Sequence, residues 1–230
     1  MNLKTIELEY WKVRGLGSAI AHFLSYANVP FNYNKYTDPA LWGKRKAELL
    51  AGGYPLANLP MITDPNNKDK ILAESNAILL YVALRYKAEA GPTMEELPDF
   101  MCTLGCVKDL QMGVVMPGYT CSTVESFKEK IEAAKAKHAP KLNHMEASLK
   151  ANNWVFGDRA TYTDFILSDT TERMLAMEKE LKIQFFSESQ RTVFTAHMER
   201  INSFEGVKKW RASDKFDARP FNAPQYSVWN

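Results

Sequence analysis

The chain has 230 residues, enough for one large domain or two small ones, and 24% of them are charged. Its 29 basic and 27 acidic residues are spread along the sequence and leave a formal net charge of +2. This argues against a nucleic-acid partner or a membrane surface, since both need a clustered basic face. No stretch approaches the roughly 18 apolar residues of a membrane helix, and the start lacks a signal-peptide core. The sequence has three cysteines, an odd number, and no secretory features, which predicts free thiols and a cytoplasmic location.

The first 87 residues alternate strand and helix patterns. Ile6, Leu8 and Tyr10 fall on one face of the first predicted strand, and Ser75 is expected to cap the last helix of this region. The predicted elements, in chain order, are a strand over 5–11, a helix over 18–28, a strand over 31–36, a helix over 39–50, strands over 59–63 and 70–73, and a helix over 76–86. This order predicts a small α/β domain built on a mixed sheet.

From residue 97 onward the sequence carries helical periodicity almost throughout. Helices are predicted over 97–116, 123–150, 163–181 and 187–201. Thr161, followed three residues later by Asp164, is typical of the capped start of a helix. The sequence therefore predicts three parts: an α/β domain over 1–87, a linker over 88–96 and an all-helical domain over 97–230.

Tyr10 ends the first predicted strand, and Trp11 and the turn Arg14-Gly15-Leu16 follow it. This run resembles the opening of the mu-class glutathione transferases, which read tyrosine, tryptophan, two residues, then Arg-Gly-Leu. A thiol with a pKa of about 8.5 is mostly protonated at neutral pH, and a hydrogen-bond donor to its sulfur favours the reactive thiolate. The resemblance implies that Tyr10 is that donor and that Trp11 and Leu16 help to bind glutathione.

Two further motifs fit a peptide ligand. If the bond before Pro60 in Asn58-Leu59-Pro60 is cis, the Leu59 N–H and C=O could pair with the cysteinyl backbone of glutathione. Glu74-Ser75 opens a helix, where free N–H groups favour a carboxylate; Ser75 could hold the α-carboxylate of the γ-glutamyl group and Glu74 its ammonium. Taken alone, the first motif favours an ordinary trans proline at the entry of a strand, and the second favours a plain helix cap.

The resemblance assigns four more residues. Trp42 and Lys46, one helical turn apart, would hold the glycine carboxylate of glutathione. Asp109 and Tyr119, ten positions apart, match an aspartate that assists glutathione bound by the partner subunit and a tyrosine of the electrophile site. In isolation, Lys46 and Asp109 are typical of solvated helix faces, and Tyr119 of a loop after Pro117.

The match spans the whole chain, including a tail over 219–229 that would cover the electrophile site. It implies a thioredoxin-like domain followed by an all-helical domain, and a homodimer with Tyr54 or Leu56 as the apolar residue that docks into the partner. Glutathione would be the co-substrate, without a metal, and its thiolate would be conjugated to apolar electrophiles. A ligandin-like carrier, a scaffold protein and a sigma-type glutathione-dependent isomerase remain as alternatives.

Overall fold

The computed structural model describes residues 3–223 and 227–229 of the chain. Its first part has the predicted β-α-β-α-β-β-α order. The elements are β1 (Ile6–Trp11), α1 (Gly17–Tyr26), β2 (Phe31–Tyr36), α2 (Pro39–Ala51), β3 (Met61–Asp64), β4 (Lys70–Ala73) and α3 (Ser75–Tyr86), with a single turn of 3-10 helix, Pro65–Asn67, between β3 and β4.

The sheet has the strand order β2-β1-β3-β4 and is mixed, as predicted. β1 pairs in parallel with β2, which places Tyr10 opposite Lys35, and antiparallel with β3. The apolar side chains of Ile6 and Leu8 are fully buried. Because side chains alternate along a strand, Tyr10 continues the face of Ile6 and Leu8 and ends at the edge of the core.

The second part is helical. After a short 3-10 turn, Ala88–Ala90, come α4 (Leu97–Thr120), α5 (Val124–Asn152), α6 (Tyr162–Leu181), α7 (Glu188–Ser203) and α8 (Glu205–Arg211). Residues 162–171 of α6 are all buried, as expected for a helix at the centre of a bundle. Its start is fixed as predicted, because Asp164 Oδ2 accepts a hydrogen bond from the Thr161 N–H at 2.8 Å. The predicted fold class, an α/β unit followed by an all-helical one, is confirmed.

Aromatic side chains join the two parts into one core. Phe23 and Tyr26 of α1 each lie 5.1 Å, between ring centroids, from Phe165 of α6. Tyr26 also lies 4.5 Å from Phe204, which precedes α8. Such offset and edge contacts stabilise beyond the apolar area that they bury. These contacts hold α1, the helix that follows β1, against the helical part of the chain.

Two local predictions were wrong, and one short helix was not predicted. α4 continues through Pro117 to Thr120, so Tyr119 is helical. Proline removes only its own N–H from the helix, and the Cys121 N–H still donates to the Pro117 carbonyl at 3.2 Å. Ser75 is the first residue of α3 and not its cap. Glu74 occupies the cap position with a positive φ of 73° and no capping hydrogen bond from its side chain. The short α8 was not predicted, because seven residues hold too few turns for a visible period.

Candidate active site

A cleft of about 640 Å³ opens between the end of β1, the C-terminal half of α4 and the C-terminal segment. Its walls are mostly apolar. The lining residues are Tyr10, Trp11, Lys12, Val13, Gly15, Leu16, Tyr36, Thr37, Pro39, Met112, Val115, Met116, Tyr119, Pro220 and Ala223. The structure thus brings four predicted site residues, Tyr10, Trp11, Leu16 and Tyr119, to one cavity of the size of a small-molecule site.

The Tyr10 hydroxyl is oriented by the turn after β1. The Leu16 N–H donates to Tyr10 Oη at 2.9 Å, which uses an acceptor position of the oxygen and leaves the phenolic proton for donation. Tyr10 is only 7% exposed. Burial raises the pKa of Tyr10 to about 12, although the Leu16 N–H acts in the opposite direction. Tyr10 is therefore a protonated hydrogen-bond donor at neutral pH.

Two glycines make room for the Tyr10 ring. A Cβ atom on Gly15, whose φ is +42°, would lie 2.5 Å from Tyr10 Oη, and one on Gly17 would lie 2.7 Å from Tyr10 Cδ1. Both distances are far below van der Waals contact. The Arg-Gly-Leu turn of the sequence thus has a physical reason: only glycine lets the backbone approach the ring so closely.

One face of α4 forms the opposite wall. Met112, Val115, Met116 and Tyr119 follow one another at helical spacing, so their side chains share a stripe. The Tyr119 hydroxyl accepts a hydrogen bond from the Ala223 N–H at 3.2 Å, which again leaves its proton for donation. Sequence reasoning identified Tyr119 but missed the three apolar residues, although their spacing in a predicted helix was a readable signal.

The C-terminal segment closes the cleft by pairing with the turn after β1. The Arg14 N–H donates to the Pro220 carbonyl at 2.8 Å, and the Gly15 N–H donates to the Phe221 carbonyl at 3.0 Å. Pro220 and Ala223 then line the cavity, as the resemblance of the tail implied. Residues 224–226 of that predicted tail lie outside the described residues.

A buried cluster of ion pairs links this turn to α6 and α8. Arg14 Nη2 lies 2.5 Å from Asp169 Oδ1 and 2.9 Å from Glu172 Oε2, and the Arg14 and Asp169 side chains are 1% and 2% exposed. Arg211 also contacts Glu172, at 3.0 Å. Burial alone would raise the pKa of Glu172, but the two guanidinium groups outweigh it and hold that pKa well below its usual value. No pattern in the sequence predicts this cluster, because Arg14 and Asp169 are 155 residues apart.

The motifs predicted to bind the peptide, Asn58-Leu59-Pro60 and Glu74-Ser75, are not among the residues that line the cleft. The Leu59–Pro60 bond is cis, as expected. Asn58 is exposed, Leu59 half-buried and Pro60 buried. At the start of α3, Glu74 is exposed and Ser75 is 8% exposed.

A lysine of α4, Lys108, interacts by its charge with Glu74 at the start of α3. Burial lowers the pKa of Lys108 to about 8, and the negative charge of Glu74 opposes this shift. Lys108 Nζ donates to Gln111, whose side chain is buried. Sequence reasoning did not identify Lys108, since a single lysine in a helix carries no recognisable pattern.

The residues predicted to hold the glycine carboxylate lie on α2. Trp42 is 9% exposed and packs on Tyr36, with ring centroids 5.7 Å apart, and Tyr36 in turn lies 6.2 Å from Trp11. Lys46 is exposed one turn further along. The aromatic chain from Trp11 to Trp42 connects α2 to the cleft, but neither Trp42 nor Lys46 lines it.

Asp109 does not reach the cleft of its own chain. Its side chain is 52% exposed and forms an ion pair with Lys141 of α5, beside a second cavity of about 430 Å³ between α4 and α5.

The two residues predicted as candidates for docking into a partner subunit, Tyr54 and Leu56, differ in their surroundings. The Tyr54 hydroxyl accepts a hydrogen bond from the Ala73 N–H at 2.9 Å, whereas Leu56 is 69% exposed. Of the two, Leu56 is the one whose apolar side chain is left in solvent.

In residues 3–223 and 227–229, no helix is both long and apolar enough to cross a membrane. Over the same residues, no three histidine, cysteine, aspartate or glutamate side chains are grouped as metal ligands.

Comparisons with known proteins agree over most of the chain. The family model of the glutathione S-transferase N-terminal domain matches residues 6–84, and that of the C-terminal domain matches residues 108–214. A glutathione S-transferase of Mesocricetus auratus is 27% identical over 98% of this chain and 98% of its own. Glutathione S-transferase Mu 1 of Bos taurus is 29% identical over 88% of this chain and 87% of its own. A solved nematode (C. elegans) glutathione S-transferase has a TM-score of 0.73 and 23% identity, covers 94% of this chain and 99% of its own, and supports the fold alone.

Proposed function

Because the chain belongs to the glutathione S-transferase family, we propose that it conjugates the thiolate of glutathione to apolar electrophiles, with Tyr10 as the catalytic residue. The observation that carries this proposal is the state of the Tyr10 hydroxyl. It lines the cleft, it is protonated at neutral pH, and the Leu16 N–H occupies an acceptor position of its oxygen. The hydroxyl can therefore donate its proton to a sulfur atom.

The mechanism follows from this donor. Tyr10 donates a hydrogen bond to the glutathione sulfur, and each unit by which the thiol pKa falls corresponds to about 1.4 kcal/mol. The thiolate forms a bond to an electrophilic carbon, and either a leaving group departs with its electron pair or the resulting carbanion takes up a proton. Tyr119, on the opposite wall, stabilises the negative charge that develops on the electrophile.

Glutathione would lie along the edge of the sheet. The Leu59 backbone, after Asn58 and before Pro60, would pair with its cysteinyl backbone, a placement that the position of this turn before β3 supports. Ser75 and the free N–H groups at the start of α3 would bind the α-carboxylate, with Glu74 accepting from the ammonium. Trp42 and Lys46 would hold the glycine carboxylate, and Trp11 and Leu16 would flank the thiol. No step of this chemistry needs a metal ion.

We propose that the protein forms a cytoplasmic homodimer. The exposure of Leu56 supports its role as the residue that docks into the partner subunit. The position of Asp109 outside its own cleft supports a role toward glutathione bound by the partner. The proposed division into domains over 1–87 and 97–230, joined by a linker over 88–96, is supported by α3 ending at Tyr86 and α4 beginning at Leu97.

The test is conjugation of glutathione to 1-chloro-2,4-dinitrobenzene from pH 5.5 to 8.5 by the wild type and by Tyr10→Phe. Loss of a hydrogen bond to a charged sulfur is worth about 1.5–3 kcal/mol, so we expect a rate about 10- to 100-fold lower and a pH profile moved to higher pH. Tyr26→Phe, in the aromatic contact between α1 and α6, is the matched control and should keep the wild-type profile.

The other outcomes separate the alternatives. Glutathione binding without conjugation would favour a carrier. Binding without conjugation but with isomerisation of a glutathione-dependent test substrate would favour an isomerase. Failure of the wild type to bind glutathione would refute the proposed chemistry and leave only the fold.

A further inference from the structure

Arg173 of α6 is a buried guanidinium with neutral partners. It is 1% exposed. It donates to Asn222 Oδ1 at 2.8 Å and to the Phe221 carbonyl at 3.1 Å, and it lies 5.0 Å from the centroid of the Phe221 ring. No carboxylate in the described part of the chain forms an ion pair with it. A buried charge without a counterion is costly, so its presence needs an explanation.

The neighbouring carboxylates are already committed to other cations. Asp169 contacts Arg14 at 2.5 Å, and Glu172 is shared by Arg14 and Arg211. Three guanidinium groups therefore face two carboxylates, and the cluster carries one positive charge in excess. Burial lowers the pKa of Arg173 to about 10, with Asp169 acting in the opposite direction, so this residue is still charged at neutral pH.

The excess charge is connected to the cleft by a short chain of hydrogen bonds. The Phe221 carbonyl that accepts from Arg173 also accepts from the Gly15 N–H, at 3.0 Å. The next N–H along the chain, that of Leu16, donates to Tyr10 Oη. The positive charge of Arg173 lowers the pKa of Tyr10, and a negative charge on Tyr119 would raise the pKa of Arg173. The field of this guanidinium therefore reaches both hydroxyls of the cleft.

We propose that Arg173 is a positioning residue whose buried positive charge stabilises the glutathione thiolate held at Tyr10. An anionic sulfur supplies the negative charge that the cluster lacks, whereas a neutral thiol does not. A charge fixed before the reaction costs no reorganisation when the anion forms. The charged and titratable groups that face Arg173 are Asp169 on its own helix, Arg14 and Tyr10 from β1 and the turn after it, and Tyr119 from α4. This inference rests on the proposed function, since it concerns the thiolate of the same reaction.

The experiment compares Arg173→Gln, which removes the charge but keeps a polar side chain, with Arg173→Lys, which keeps the charge. The readout is the pKa of the thiol in the complex with glutathione, titrated by the ultraviolet absorbance of the thiolate. We expect Arg173→Gln to raise that pKa by about one unit, which is about tenfold less thiolate at low pH. Arg173→Lys should stay close to the wild type.

Arg191→Gln is the matched control. It removes one positive charge from α7, where Arg191 pairs with Glu178 outside the cleft. We expect it to leave the thiol pKa unchanged. This result would show that the effect of Arg173→Gln comes from the position of the lost charge and not from the change in net charge. Thermal unfolding of each variant verifies that it is folded.

Two results would overturn the role of Arg173: a folded Arg173→Gln with the wild-type thiol pKa, or a folded Arg173→Lys whose thiol pKa rises as far as that of Tyr10→Phe. The second result keeps the test decisive even when Arg173→Gln does not fold. If the wild type binds no glutathione, or if Tyr10→Phe leaves the thiol pKa unchanged, the proposed function itself fails. If both behave as proposed and only Arg173→Gln has no effect, the inference about Arg173 alone is wrong.

Discussion

His22 makes the stability of the protein depend on pH in a way that can be calculated from the structure. It lies in α1, is 4% exposed and packs near Phe216, with ring centroids 5.8 Å apart. Among the described residues its Nε2 has no hydrogen-bond partner. Burial, reinforced by the positive charge of Arg14, lowers the pKa of His22 to about 3.

The sign of this pH dependence follows from the number of protons bound by the folded and by the unfolded protein. An unfolded histidine has a pKa of about 6.5, so between pH 6.5 and pH 3 the unfolded chain binds one proton more than the native protein. The free energy of unfolding then falls as the pH falls, by about 1.4 kcal/mol per unit. Between pH 7.5 and pH 5 the loss due to His22 is about 2 kcal/mol. Any folded pKa below about 4 gives nearly the same loss, since His22 is then neutral at pH 5.

The assay is urea unfolding of the wild type and of His22→Leu at pH 7.5 and pH 5. All samples are measured at one protein concentration, because the proposed dimerisation would add to apparent stability. We expect the wild type to lose about 2 kcal/mol more than the variant between the two pH values. His144→Gln, which removes an exposed histidine, is the control for loss of an imidazole as such. Equal losses in the wild type and His22→Leu would refute the reasoning.

Two further predictions concern the buried ion pair and the proposed dimer. Asp169→Asn leaves Arg14 buried without its nearest carboxylate, so we expect the free energy of unfolding to fall by about 3–5 kcal/mol. In thermal unfolding this corresponds to a Tm lower by about 6–20 °C, and a change of less than about 2 °C would contradict the prediction. Leu56→Glu places a charge on the exposed residue that we propose docks into the partner, so we expect the dimer Kd to rise by about 100-fold or more in analytical ultracentrifugation. Tyr54→Phe should remain dimeric, and an intact dimer of Leu56→Glu would exclude Leu56 as the docking residue.

The order of elements could be read from the sequence because it depends on local patterns. The alternation of Ile6, Leu8 and Tyr10 gave β1 and its buried face, and the Thr161–Asp164 pair gave the start of α6. The same local reasoning failed at Pro117, where tertiary packing maintains a helix that the residue type alone would end. It also placed the start of α3 one residue too late, because cap geometry depends on φ at Glu74.

The sequence by itself determined the two-part fold and the family, and the resemblance of the Tyr10 turn implied the donor hydroxyl. Only the tertiary structure decided which distant residues meet around that hydroxyl: the stripe of α4, the carbonyls of Pro220 and Phe221, and the charges of Arg14 and Arg173. It also distinguished the exposed Leu56 from the engaged Tyr54. The reason is that local periodicity is written in neighbouring residues, whereas contacts between segments more than a hundred residues apart are selected by packing, which no short stretch of sequence contains.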